Sequence, residues 1–501
     1  AFIVGYFTST IAASFSYRTR GKLFRKVEDI STFEIKKFSP SSLITRTTND
    51  ITQIEFLIAM GLTLMIKAPI TAVWAVTKIL NKNIEWSILT GVAVLVLLIT
   101  IGIIMMIVMP KFKIVQELMD KINMVMRENL SGIRVVRAFN AEKYQEDKFE
   151  NVNNTLTNQQ VFNQKAFNFL SPVMYLVMYF LTLGIYFIGA MLINEANMGD
   201  KIVLFGNMIV FSSYAMQVIM SFLMLAMIFM MLPRASVSAK RINEVLDTPI
   251  SVKEGNVTMN NSDIKGCVEF KNVSLTYSGS GAPSVEGINF KAMKGQTIGV
   301  IGGTGSGKSS LVNLIPRLYD ATQGEVLVDG VNVKDYDIEA LRNKVGIVMQ
   351  KAVLFKGTIR ENMWMGKKGA TDEQIDEALE ISQSKEFVDS KQGRLDYVIE
   401  QGGKNLSGGQ RQRLTIARAI VRKPDVLILD DSASALDFAT DAALRKAIRG
   451  MNNSPTVFIV SQRAASLMYA DLIIVLDDGQ VAGMGTHDEL LANCEVYKEI
   501  Y

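Results

Sequence analysis

The chain is almost without histidine: 501 residues contain one, His487. A mechanism that needs an imidazole must use that residue or borrow one from another chain. Cysteine is nearly as scarce. Cys267 and Cys494 stand far apart, which argues against a disulfide framework and fits a reducing compartment for the part that carries them. A strong charge bias is also missing. Lys and Arg number 53 against 49 acids, a formal net charge of +4, so no basic field points to nucleic acid as a partner. Residues 1–10 are apolar but lack a basic leader, so no cleavable signal peptide is expected.

What the chain has in quantity is apolar surface. Hydrophobic residues make up 49% of it and the mean hydropathy is +0.21, high for a wholly soluble protein. The excess lies in five runs, at 1–15, 57–80, 88–110, 167–193 and 202–233. The first is short. Each of the others has the roughly 20 residues that cross a hydrocarbon core as a helix. The second is interrupted only by Lys67 and Lys78 and contains Pro69; the last three carry no charge. Segments 18–46 and 111–148 are rich in Lys and Arg, whereas the turns at 81–86 and 194–201 are short and carry few. The basic segments are therefore expected on the cytoplasmic side. The first run then starts outside, so at least one span is expected upstream of Ala1. The run 202–233 is rich in methionine, including Met208, Met216, Met220, Met224 and Met227. Such residues suit either ordinary packing or an adaptable binding surface.

Hydropathy falls after Pro233, and from Lys265 the pattern becomes alternating strands and helices, the mark of an α/β domain. The expected organisation is an all-α transmembrane bundle at 1–232, a linker at 233–264 and an α/β domain at 265–501. That domain contains Gly302, Gly303, Thr304, Gly305, Ser306, Gly307, Lys308 and Ser309 in sequence, which fits the phosphate-binding loop G-x-x-x-x-G-K-[ST]. An apolar strand at 297–301 precedes it and a helix at 310–315 is expected after it, the context the motif requires. Glycines let backbone N–H groups approach phosphate oxygens. Lys308 is placed to reach the β- and γ-phosphates of ATP, and Ser309 to ligate Mg²⁺.

A second motif follows: Leu406, Ser407, Gly408, Gly409, Gln410, Arg411, Gln412, Arg413. With the phosphate loop and the membrane half, it makes the chain resemble a half-transporter of the ATP-binding cassette (ABC) exporter family, over essentially its whole length. The resemblance implies further roles. Tyr277 matches the residue that stacks on adenine, Gln350 a glutamine that touches Mg²⁺, and Asp430 the Mg²⁺-linked aspartate. Ser434, Ala435, Leu436 and Asp437 match a loop that communicates across a dimer. The segments near 37–43 and 132–139 fall where coupling helices are expected. The resemblance also implies six spans per half, so the first would be absent. It makes residues 406–410 act in trans, on ATP held by a second chain.

Two residues depart from the family pattern. Where a glutamate is expected after Asp430 the chain has Asp431, one methylene shorter, which is about 1.5 Å of reach. A misplacement of about 1 Å can cost on the order of 100-fold in rate. Where a histidine is expected after a later strand the chain has Gln462, which can donate a hydrogen bond but carries no positive charge. Both belong to the site of the ATP that this chain would hold, while the intact Ser407 loop faces the other. The expectation is one subunit of an asymmetric heterodimer in the cell membrane, similar to bacterial multidrug exporters. It would move hydrophobic or amphipathic compounds, among lipids, with a second half-transporter as partner. A lipid or peptide exporter, and an ATP-gated channel or regulatory sensor, are the alternatives.

Overall fold

The computed structural model describes residues 2–501 apart from 81, 259–264, 278 and 433–435. Its first half is helical, as long apolar runs without backbone partners elsewhere must be in lipid. In chain order the helices are α1 (Phe2–Asp29), α2 (Thr32–Ile35), α3 (Pro40–Thr45), α4 (Ile51–Leu80), α5 (Ile84–Ser131), α6 (Ile133–Ala138), α7 (Glu142–Glu195) and α8 (Met198–Leu246). A π-helical turn at Arg46–Asp50 joins α3 to α4. Helices α5, α7 and α8 have 48, 54 and 49 residues. At about 1.5 Å per residue each is more than twice as long as a hydrocarbon core of about 30 Å is thick. Among the described residues, four helical stretches are long and apolar enough to span a membrane: 40–79, 84–131, 142–195 and 198–225. Helix α1 is not among them. Asn83 starts α5 by accepting bonds from the Glu85 and Trp86 N–H groups at 2.8 and 3.3 Å, a standard N-cap.

Helix α4 packs along α8, and α5 along α7. The first contact uses small residues, since Gly61, Ala68 and Ala75 of α4 are buried at successive intervals of seven. Ala75 belongs to a core with Trp86, Leu97, Ile185, Phe211 and Ile219. Trp86 and Phe211 meet at 5.2 Å between ring centroids.

Among the described residues the second half holds twelve strands: β1 (Val268–Leu275), β2 (Val285–Ala292), β3 (Thr297–Gly302), β4 (Gln323–Val328), β5 (Val331–Asn332), β6 (Val345–Val348), β7 (Gly357–Thr358), β8 (Val398–Ile399), β9 (Val426–Asp430), β10 (Thr456–Val460), β11 (Leu472–Asp477) and β12 (Gln480–Gly485). An antiparallel sheet has the order β2-β1-β4-β5, and a six-stranded sheet the order β12-β11-β3-β10-β9-β6. In the latter every pairing is parallel except β11–β12. Strand β10 shows why its central strands are continuously apolar. Phe458 and Val460 enter one core with Phe270, Phe290 and Val300, while Val457 and Ile459 enter the other with Leu427, Leu429 and Ile416. Both faces are covered, so neither can be polar.

Three features differ from the sequence-based expectation. Helix α8 does not stop at 232 but runs to Leu246, taking up the first part of the expected linker. The helix after the phosphate loop, α9 (Lys308–Val312), is regular only to Val312. Beyond it Leu314 and Ile315 bond three residues back rather than four. Pro316 has no N–H to continue the ladder, and Arg317 turns to φ +54°. Third, residues 26–40 cluster with the nucleotide domain rather than with the helices that flank them in sequence. Phe33 of α2 packs on its core.

Phe458 is fully buried at the centre of this packing. Phe458→Ala is expected to cost about 3–5 kcal/mol of nucleotide-domain stability. The measurement is the urea concentration at which that domain becomes protease-sensitive in the full chain, which should fall.

Candidate nucleotide site

The register of the parallel sheet brings the site together. Strands β3, β10, β9 and β6 lie side by side. The loop after β3 carries Gly303 to Gly307, β9 ends in Asp430 with Asp431 next, Gln462 follows β10, and Gln350 follows β6. Ligands of open α/β sheets bind beyond these carboxyl ends. Thr304, Gly305, Gly307, Lys308, Ser309, Gln350, Asp430, Asp431 and Gln462 line one cavity of about 230 Å³, together with Ser284, Ser310, Val460 and Ser461.

Two loop positions demand glycine. A Cβ at Gly302 would overlap the Leu476 carbonyl oxygen, and one at Gly307, whose φ is +94°, would overlap that of Ser284. The loop curls tightly enough for Lys308 Nζ to donate to its carbonyls, to Gly302 O at 2.9 Å and also to Gly303 O, with Ser306 Oγ at 3.3 Å. The lysine is buried at 8% exposure. Burial lowers its pKa, opposed by the charges of Asp431 and Asp430. Ser309 Oγ donates to Asp430 Oδ1 at 2.9 Å. Burial pushes the Asp430 carboxyl up, against the Ser309 hydrogen bond, and the charge of Asp431 pushes it further. Gln350 Nε2 lies 3.5 Å from Asp431 Oδ2. Asp431 itself stands at φ +47°, a left-handed conformation that Asp tolerates better than most residues.

Tyr277 stands beside this cavity. Its hydroxyl bonds Ser310 Oγ at 3.0 Å. Its ring meets Tyr319 edge-on at 5.2 Å and has Lys36 Nζ 5.5 Å from its centroid. Residues Leu406 to Gln410 do not line the cavity. Ser407 caps the helix Gly408–Ile420: its hydroxyl accepts from Gln410 N–H, and the Gln410 side chain accepts from Ser407 N–H at 3.1 Å. Leu406 is buried beneath them. Of the expected cross-dimer loop, Ser434 and Ala435 lie outside the described residues. Asp437 caps the helix Phe438–Arg449, accepting from Thr440 N–H at 2.9 Å. His487 does not line the cavity: its Nδ1 sits 2.8 Å from Tyr497 Oη, between the C-terminal helices. Both cysteines are free and buried.

Sequence reasoning did not single out Ser284, Ser310 or Ser461. Ser310 and Ser461 directly adjoin Ser309 and Gln462 and could have been found by extending those motifs. Ser284 carries no sequence signal; tertiary packing alone brings its carbonyl against Gly307.

A phosphate loop, a buried aspartate bonded to its serine, and a half made of membrane-length helices define a membrane-embedded P-loop ATPase. Comparison with known proteins agrees and is narrower. The model of the ABC transporter transmembrane region matches residues 1–236, and the ABC transporter model residues 285–434. An uncharacterized ABC transporter ATP-binding protein of Mycobacterium tuberculosis is 38% identical over 498 residues, covering 99% of this chain and 84% of that one. The ATP-dependent lipid A-core flippase of Pseudomonas aeruginosa is 30% identical over 506 residues, covering 100% and 82%. A bacterial Atm1-family ABC exporter solved with ATP bound shares the fold, with a TM-score of 0.82 at 23% identity over 98% of this chain and 85% of that one. The chain belongs to the ABC transporter family: it is an ATP-hydrolysing, multi-pass membrane transporter with a cytoplasmic nucleotide-binding domain.

The electrostatics yield a test. A raised carboxyl pKa means that the ionised form of Asp430 costs folding stability at neutral pH, a cost relieved as pH falls through that pKa. Asp430→Asn is therefore expected to unfold at a higher temperature than wild type at pH 7 to 8 without nucleotide. The gap should narrow in acid, and the added stability from Mg-ATP should be lost. Melting curves across pH, with and without Mg-ATP, check all three.

Proposed function

We propose that this chain is the subunit of a heterodimeric exporter that grips ATP at a weakly hydrolysing site and completes the active site of its partner. The observation that carries this reading is a division of residues. Asp431 and Gln462, the two departures from the family pattern, line the same cavity as Lys308, Ser309 and Asp430. Ser407, with its intact glycine pair, lies outside it at a helix N-terminus. The cavity's own residues fit the nucleotide. The Gly302–Gly307 backbone and Lys308 take the phosphates, and Tyr277 offers a ring to adenine. Ser309, Asp430 and Gln350 supply the oxygen donors Mg²⁺ prefers; the ion's contribution is to neutralise phosphate charge. Asp431 is left to position water from a shorter side chain, and Gln462 to touch the γ-phosphate without charge. Ser407 and the N–H groups of Gly408 and Gly409 are suited to the γ-phosphate of the ATP on the partner.

The cargo on this reading is amphipathic and is moved outward. Sparse charge along the spans supports it, and so does the lipid named for the Pseudomonas aeruginosa relative.

The test is ATPase activity of this chain alone and with its partner, purified from the native membrane. The chain alone should turn over slowly. In the pair, Ser407→Ala should lower kcat by about 100-fold, whereas Gln462→His should change it far less. Brisk, cooperative hydrolysis by this chain alone, or the reverse ranking of the two substitutions, overturns the assignment.

A further inference from the structure

The five apolar runs contain no aspartate or glutamate, yet one contains a lysine near its middle. Helix α4 serves as a ruler for its depth. Arg20 of α1 pairs with Glu55 of α4 at 3.5 Å, marking a polar level at the cytoplasmic end. Lys78 lies 4.9 Å from the Trp74 ring centroid, and Lys82 bonds Asn207 Oδ1 at 2.6 Å, marking the other end. Lys67 stands twelve residues above Glu55 and eleven below Lys78, about 18 Å and about 16 Å along the helix. That is near the middle of a core about 30 Å thick, too deep for its ammonium to reach either surface by stretching out.

The surroundings are not lipid-like. One turn below, Thr63 Oγ1 lies 3.1 Å from Thr8 Oγ1 of α1. One turn above, Thr71 Oγ1 lies 2.8 Å from Ser221 Oγ of α8. Thr8 and Ser221 are buried, at 4% and 2% exposure, whereas Lys67 is exposed. Thr63, Lys67 and Thr71 follow one another at intervals of four, so they share a flank of α4. A midplane cation costs free energy unless an anion or hydrogen-bonding groups compensate it. No acid in these five runs can do so, nor could the same runs of a second copy.

We propose that Lys67, between the Thr8–Thr63 and Thr71–Ser221 hydroxyl pairs, anchors the anionic head group, a phosphate or a carboxylate, of an amphipathic molecule. This deepens the export reading and rests on it for the molecule's fate. The apolar runs would take the tail and Lys67 the charge; the hydroxyls, which donate to the helix carbonyls of Gly5, Ala59, Lys67 and Gln217, would turn from them to the remaining oxygen lone pairs.

The experiment compares two amphiphiles with the same tail and opposite charge, dodecyl phosphate and dodecyltrimethylammonium. Binding of each radiolabelled probe is counted by scintillation proximity on the assembled transporter in phosphatidylcholine nanodiscs, with empty nanodiscs as blank. Lys67→Met should weaken dodecyl phosphate binding by about tenfold or more and leave the cation unaffected or bound more tightly. Lys67→Arg should restore the preference for the anion. Removing a charge from the bilayer interior does not threaten insertion, so Lys67→Met is expected to fold. Replacing a third of the lipid by phosphatidylglycerol separates two sources of anion: competition identifies a bilayer lipid head group as the occupant, and its absence identifies a cargo. An unchanged ratio of the two affinities in Lys67→Met overturns the proposal. So does loss of the assembled complex on size exclusion, which would make Lys67 an ion pair with the partner chain. Failure of ATP to release either bound probe would count against the export reading and leave the binding comparison standing.

Discussion

One register across the parallel sheet governs the nucleotide domain. Ile298 of β3 stands opposite Phe458 of β10, which stands opposite Ile428 of β9, which stands opposite Ile347 of β6. Two residues beyond this row lie Val300, Val460 and Asp430, so the phosphate loop, the Gln462 segment and the two aspartates leave the sheet at one level. A one-residue slip of β9 would turn Asp430 to the opposite face and break the bond from Ser309. The apolar packing on both faces forbids that slip. The site is thus a by-product of hydrophobic registration: the core chooses the register, and the register places the charges.

Those charges are poised against each other. Lys308 and Asp430 are both buried, and burial shifts each toward its neutral form, the lysine down and the carboxyl up. Their mutual attraction, with that of Asp431 for Lys308, opposes the shift. The loop carbonyls of Gly302 and Gly303 hold the ammonium meanwhile. A polyphosphate would offer Lys308 stronger acceptors than carbonyls do, and a divalent ion would ease the crowding of two adjacent carboxylates. The buried charges cost stability by themselves, and an anion with its metal would offset that cost.

Much of this could be read from the chain before folding. The phosphate loop, the apolar strand ending in Asp430 and the Ser407 motif are contiguous, and their chemistry is local. The long apolar runs gave the membrane helices for the same reason. What was not legible depends on distant segments. The coupling helix expected near 37–43 pointed to the nucleotide domain, but not to the extent of the segment, 26–40, that clusters with it, because Phe33 and Lys36 find Tyr277, Tyr319 and the core only after folding. The early end of α9 turns on Pro316 and the positive φ of Arg317, and only the proline is visible in sequence. The continuation of α8 through Arg234 to Leu246 was hidden by the fall in hydropathy, which marks the edge of the apolar run and not the end of the helix.

The two departures at the site are physically unlike, and their combination matters more than either. Asp431 keeps its charge and loses reach; Gln462 keeps a hydrogen bond and gives up the possibility of positive charge. On the proposed reading neither change touches the groups that would hold phosphate, since the Gly302–Gly307 backbone, Lys308 and the Ser309–Asp430 pair are complete. Binding free energy comes mostly from those groups, whereas rate acceleration comes only from interactions stronger in the transition state than in the ground state. On that reading a shorter carboxylate placing water and an uncharged amide beside the γ-phosphate would both weaken the second kind and spare the first. On the proposed reading the site therefore holds ATP longer than it takes to split one across the dimer. A retained nucleotide keeps two domains together, so the asymmetry would act as a clasp. It would restrict how far the domains separate between turnovers while the partner's site, completed by Ser407, does the hydrolysis.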